Sequence, residues 1–160
     1  MMVEKGRRTF QLRALLFFEG LTLAAALLGA LLGGGFSLDG LRAPPLSPPA
    51  TAFPVVWSIL YLLMGLAAYL VWNAYDIDGP RALRFYLAQL AVNALWPLFN
   101  FRLEWRYFAF FWLILLIALA TLTAAAFRYI RKSAFYLMIP YILWLLYAAY
   151  LNLGYAILNG

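Results

Sequence analysis

Between Pro48 and Asn73 the chain reads PPATAFPVVWSILYLLMGLAAYLVWN, an uncharged run long enough to cross a bilayer as one helix. A hydrocarbon core of about 30 Å takes about 20 helical residues. At about 100° per residue, Phe53, Trp57, Tyr61, Met64 and Ala68 fall on a single stripe. A simple membrane anchor needs only apolar side chains all round. A stripe of large aromatics suits a helix that lines an interior, so the segment points to a bundle in lipid.

Composition agrees. Of 160 residues 67% are apolar and 11% charged, with a mean hydropathy of +0.86. A soluble domain carries about a quarter charged residues, so the solvent here is largely lipid. Apolar runs fall at about 12–33, 53–74, 83–101, 107–127 and 135–158. They use most of the chain and predict an all-α integral membrane bundle of five transmembrane helices, one domain over residues 1–160. The runs are apolar on every face, which argues against a barrel. The first run is longer than the 7–15 apolar residues of a signal peptide, so it is read as a retained span.

The connections are a Gly- and Pro-rich loop at Gly34–Ala52, an acidic turn at Asp76–Pro80, a tight link at Arg102–Arg106 and a basic link at Arg128–Ser133. AAYL occurs at 67–70 and 148–151, but in so biased a composition this is no repeat. With the N-terminus inside, the inner side holds Lys5, Arg7, Arg8, Arg13, Arg81, Arg84, Arg128, Arg131 and Lys132, and the outer side Arg42, Arg102 and Arg106. That asymmetry predicts a cytoplasmic N-terminus and an external first loop. The +6 charge sits at the ends of apolar runs, so it is a topology signal and not a nucleic-acid surface.

Cysteine and histidine are absent. Disulfides, thiolate and zinc chemistry and His-based catalysis are thereby excluded. With four serines besides, no hydrolytic constellation can form, and no catalytic residue or metal site is expected. Gly33-Gly-Gly35 before Phe36-Ser37 lacks a preceding strand and a P-loop lysine, so it is a hinge and not a nucleotide site.

Polar residues inside the spans are few. Gln89, Asn93, Trp96 and Asn100 lie within about 60° on one face of the third run. Amides are costly in hydrocarbon, so this face looks into the bundle, either as interhelical glue or as a cavity lining. On the fifth run Trp144, Tyr147, Ala148, Leu151 and Tyr155 share a face, which suits packing or a pocket. Glu19 is the lone acid well inside the first run, a functional candidate as a membrane carboxylate, although snorkelling toward Arg13 is its simpler placement. Ala25-x-x-x-Gly29-x-x-x-Gly33 is a small-residue ridge that could serve a dimer or packing within one chain.

Three segments carry a resemblance. After a Pro-Pro pair, F-x-x-V-W-x-x-L-Y-x-x-M-G-x-A-x-Y from Phe53 to Tyr69 resembles the second helix of the TspO/MBR family. These are tryptophan-rich sensory proteins related to the mitochondrial translocator protein. Q-L-A-V-N-A-L-W-P at Gln89–Pro97 is similar to the family's third helix, and P-Y-I-L-W-L-L-Y-A-A-Y-L-N at Pro140–Asn152 to its fifth. The first and fourth runs match only in hydrophobicity and position.

The resemblance implies a usually homodimeric receptor of a prokaryotic cell membrane. It would bind porphyrins or similar planar hydrophobic ligands between helices 2, 3 and 5, beneath the first loop. Carried over by position, Trp57, Asn93, Trp96, Trp144, Ala148 and Leu151 would line the cavity, with Phe53 near the loop. Porphyrin or haem is then a ligand and no cofactor is obligatory. Ring faces stack on indoles and an amide anchors a polar edge. Without His or Cys, haem iron has no strong axial ligand.

The chain also departs from the family. Leu153 and Ile157 stand where animal members have the Tyr and basic residue of a cholesterol motif, and no basic residue follows Lys132. Leu46-Ser47 replaces a Trp often found before the Pro-Pro pair, and Ala94 another frequent Trp. Two other functions stand beside binding. A small transporter of hydrophobic compounds is opposed by the odd helix count and the lack of repeated halves. Light-driven porphyrin chemistry has a counterpart proposed for the family, but no residue here demands it.

Overall fold

In lipid every backbone N–H and C=O must be paired within its own segment, so each apolar run closes into a helix. The computed structural model describes residues 9–35 and 40–160. Its helices are α1 (Leu12–Gly33), α2 (Ala52–Asn73), α3 (Gly79–Pro97), α4 (Arg106–Ile130) and α5 (Lys132–Asn159), with a π-helical turn at Leu98–Arg102. There is no strand among the described residues. The expectations for Lys5, Arg7, Arg8 and Phe36-Ser37 lie outside them.

Four helices, α1, α2, α4 and α5, are long and apolar enough to cross a membrane on length and composition alone. The remaining one, α3, carries Arg81, Arg84, Gln89 and Asn93, which dilute its apolar character. Gln89 and Asn93 are buried against the neighbouring helices, so lipid never meets them. The chain is an integral, multi-pass membrane protein.

Boundaries differ from expectation in three places. Helix α3 starts at Gly79 and not at 83, with Pro80 in its first turn. A proline there loses no hydrogen bond, because first-turn N–H groups have no intrahelical partner. The expected basic link at Arg128–Ser133 shrinks to Arg131, whose extended backbone (φ −147°, ψ 108°) alone separates α4 from α5. Long basic side chains reach water while their helices continue past the apolar core. The third run does not stay α-helical to 101. Pro97 has no N–H to give the Asn93 carbonyl, and the backbone widens into the π turn behind it.

The helices close a ring in the order α1, α2, α5, α4, α3, each packed on its two neighbours. Met64, Tyr86, Leu113, Leu116, Tyr141 and Leu145 fill the interior. Leu16, Phe17, Ile59, Phe111 and Leu122 point outward, as lipid-facing residues should. The small-residue ridge of α1 packs within the chain: a Cβ at Gly29 would stand 3.3 Å from the Ala94 carbonyl oxygen, and one at Gly33 3.0 Å from Pro97 Cβ. Close approach of α1 to α3 is what the ridge provides.

Glu19 does not extend toward Arg13. Its carboxylate turns to α2, where a Cβ on Gly65 would lie 2.7 Å from Glu19 Cδ, and Oε2 is buried without a hydrogen-bond partner. The missing side chain of Gly65 makes the notch that receives it. One turn on, Thr22 donates to the Phe18 carbonyl at 2.6 Å and accepts from the Tyr86 hydroxyl.

Candidate functional site

The first loop is anchored to the end of α5. The Arg42 N–H donates to Asn159 Oδ1 at 2.8 Å, and Asn159 Nδ2 donates to the Arg42 carbonyl at 2.9 Å. Tyr150 donates to the Pro45 carbonyl at 2.8 Å and Tyr147 to that of Leu46 at 2.5 Å. Pro44 seats over Gly154, where a Cβ would fall 2.6 Å from the proline ring. Ala50 and Thr51 are thereby held over an opening among the helices.

Below them lies a cavity of about 560 Å³. Phe53, Trp57, Tyr61, Asn93, Trp96 and Phe101 form its aromatic and polar wall, and Ala26, Gly29, Ala30 and Gly33 of α1 its small-residue wall. Small side chains on α1 leave the volume that large side chains on α2 and α3 enclose. A narrower space of about 30 Å³ continues past Phe53, Trp57, Trp96 and Phe101 to Ala148, Leu151 and Asn152 of α5.

Of the residues singled out by sequence, Phe53, Trp57, Asn93 and Trp96 meet at the main cavity, while Ala148 and Leu151 border the narrow extension. The larger volume is therefore bounded by α1, α2 and α3, and α5 is reached through the constriction. Trp144 stands elsewhere. It borders a groove between α2 and α5 with Val56, Leu60 and Tyr147, and backs the cavity wall through edge contacts to Trp57 (6.5 Å, 90°) and Phe53 (5.9 Å, 69°).

Asn93 belongs to a buried polar chain. Tyr61 donates to its Oδ1 at 3.2 Å, its Nδ2 donates to the Tyr141 hydroxyl at 2.9 Å, and Tyr141 donates to Gln89 Oε1 at 2.8 Å. Trp57 stacks on Tyr61 (5.6 Å, 29°), which ties the aromatic wall to this chain. The glue and cavity readings of Asn93 thus describe one residue in both places. Trp96 Nε1 and Asn152 Oδ1 are buried without a partner beside the cavity. Among the described residues no acidic cluster could hold a metal ion.

These three helix faces are where the sequence motifs fall, and comparison extends the likeness to the whole bundle. The profile of the TspO/MBR family matches residues 19–158. The chain belongs to that family. A translocator protein homolog of Schizosaccharomyces pombe is 40% identical over 126 residues, 76% of each chain. The translocator protein of Ovis aries is 36% identical over 75% of this chain and 73% of its own. A tryptophan-rich sensory protein of Cereibacter sphaeroides is 36% identical over 81% and 80%. TspO/MBR relatives thus come from eukaryotes and bacteria alike. Membership supports a membrane receptor or transporter role.

Several residues in or behind the cavity wall carry no site signal in the sequence. Phe101 carried no helical-face signal, because the π turn that aims it at Trp96 (5.4 Å, 79°) breaks the period. Tyr141 stood inside a recognised motif, but its partners lie on α3. The α1 ridge suggests a dimer contact or packing within the chain, although small residues that admit a helix also leave room beside it.

Proposed function

We propose that this TspO/MBR protein is a membrane receptor that binds a planar hydrophobic ligand of the porphyrin class in the cavity beneath its first loop. One observation carries the reading: a cavity of about 560 Å³ walled by Trp57, Trp96, Phe53 and Phe101. That volume lies within the range of small-molecule sites, and indole and phenyl faces suit a flat ring. Trp57 and Trp96 supply faces. Asn93 holds the wall in place, since its amide already bonds Tyr61 and Tyr141. Phe53, Ala148 and Leu151 shape the inner end, and Trp144 supports Trp57 from behind.

Binding without turnover fits a lining that holds no carboxylate, amine or serine and whose hydroxyls are those of Thr51 and Tyr61, the latter engaged by Asn93. A ring of five helices with no repeated halves also suits a receptor better than an alternating-access carrier. The homodimer expected of the family belongs to the same proposal, with an interface other than the Gly29–Gly33 ridge that α3 occupies.

The test is a titration of purified protein with protoporphyrin, followed by tryptophan quenching in the dark and then under illumination. Saturable quenching with an unchanged porphyrin spectrum after illumination is expected. A new absorbing product would make the protein an enzyme, and absence of saturable quenching would remove the cavity as a ring site.

A further inference from the structure

Against the apolar cavity, on its loop side, lies a second chamber of opposite chemistry. This chamber, about 570 Å³, is bordered by Asn100, Arg102, Glu104, Arg106 and Tyr155 and by the backbone at Gly33–Gly35. It shares Gly33, Gly35 and Phe101 with the apolar cavity, so the two meet there. Two arginines and one glutamate therefore border the loop side of a hydrophobic site. Arg106 is engaged by Glu104 at 3.4 Å, whereas Arg102 has no ion-pair partner among the described residues. The Arg102 stem runs over Gly34, 3.9 Å from where a Cβ would stand.

Resting on the ring-binding reading above, we infer that the ligand is an amphipathic acid. Its flat apolar body lies between Trp57 and Trp96, and an oxyanion substituent projects into the polar chamber, where Arg102 receives it. A guanidinium presents parallel donors that match a carboxylate or phosphate. An uncharged ring would leave that charge unused, and a free anion would leave the apolar cavity empty. A molecule with both parts fills the two chambers at once. Arg102 would then determine specificity and hold the ring's orientation, with its acid edge toward the loop.

Phosphate of a lipid headgroup offers the same oxyanion from another source, and the experiment separates the two. Protoporphyrin and its dimethyl ester share one ring and differ in charge. Both are titrated into the full chain in neutral, lipid-free detergent, using wild type, Arg102→Gln and Glu104→Gln. The free acid should bind wild type about three- to tenfold more tightly than the ester. Arg102→Gln should erase that advantage and leave ester affinity unchanged, and Glu104→Gln, by releasing Arg106, should enlarge it. Equal binding of acid and ester by wild type would overturn the inference while leaving ring binding intact. So would an equal loss for both compounds in Arg102→Gln. Failure of both compounds to bind would instead overturn the ring-binding reading, and this inference with it. If added phosphatidylglycerol removes the acid's advantage without touching ester binding, Arg102 is a lipid-headgroup site and the inference is overturned.

Discussion

A side chain at Gly65 would meet Glu19 at two points, its Cδ at 2.7 Å and its Cα at 3.1 Å. The carboxylate can swing away, but the α1 backbone cannot, so Gly65→Ala forces α1 from α2. Overpacking of this kind costs about 1–3 kcal/mol. The thermal midpoint of Gly65→Ala in detergent should fall, and adding Glu19→Ala should recover part of the loss. A midpoint equal to wild type would mean that the notch is not filled by Glu19. The sequence could place Glu19 along its own helix but not say what faced it, because Gly65 lies 46 positions away on another element. The buried amides behave in the same way. Removing the Tyr141 hydroxyl leaves Asn93 Nδ2 and Gln89 Oε1 without their partner. Tyr141→Phe should destabilise the bundle by about 1–3 kcal/mol, measured by chemical or thermal unfolding. No change would indicate that water replaces the phenol.

Between the elements, the loop-to-α5 contact decides whether the cavity is roofed. Gly154 admits Pro44 only because it lacks a side chain. Gly154→Val should lift the loop and expose it to limited proteolysis, while the helical circular-dichroism signal stays at the wild-type level. Equal cleavage of variant and wild type would contradict the docking. The five helices themselves were legible, since apolar runs of membrane length leave the chain no other paired backbone. Their inward faces were legible too: Tyr61, Met64 and Ala68 on α2 and Ala148 and Leu151 on α5 are buried as the stripes predicted. The ends were less so. Arg128 and Lys132 lie in helices and not in a link, and Pro97 shifts the following residues into a π turn that no 3.6-residue period anticipates. The cavity's third wall was hidden because a ridge of small residues signals contact and gap alike.

For the whole molecule, the ring sorts its charges by end. Arg13, Arg81, Arg84, Arg128, Arg131 and Lys132 gather at the end where α1 begins, and Arg42, Arg102 and Arg106 at the loop end. The inside bias of basic residues then predicts an external first loop. Single cysteines at Ser47 and Ser133 report this in a chain without thiols. On intact cells an impermeant maleimide should label Ser47→Cys and spare Ser133→Cys, and the opposite pattern would invert the topology. The cavity lies at the same loop end, so this labelling also reports the side from which the proposed ligand would enter. The aromatic wall is the core of the proposed site, and porphyrin affinity of three tryptophan variants tests it most directly. Losing one stacking indole costs about 1–3 kcal/mol, so Trp57→Ala should weaken binding roughly five- to more than a hundredfold. Trp144→Ala, which removes only the support behind Trp57, should weaken it less. Trp72→Ala, packed with Phe18 and Tyr69 away from the cavity, should leave it unchanged. A folded Trp57→Ala protein that binds porphyrin as tightly as wild type would contradict the proposed site.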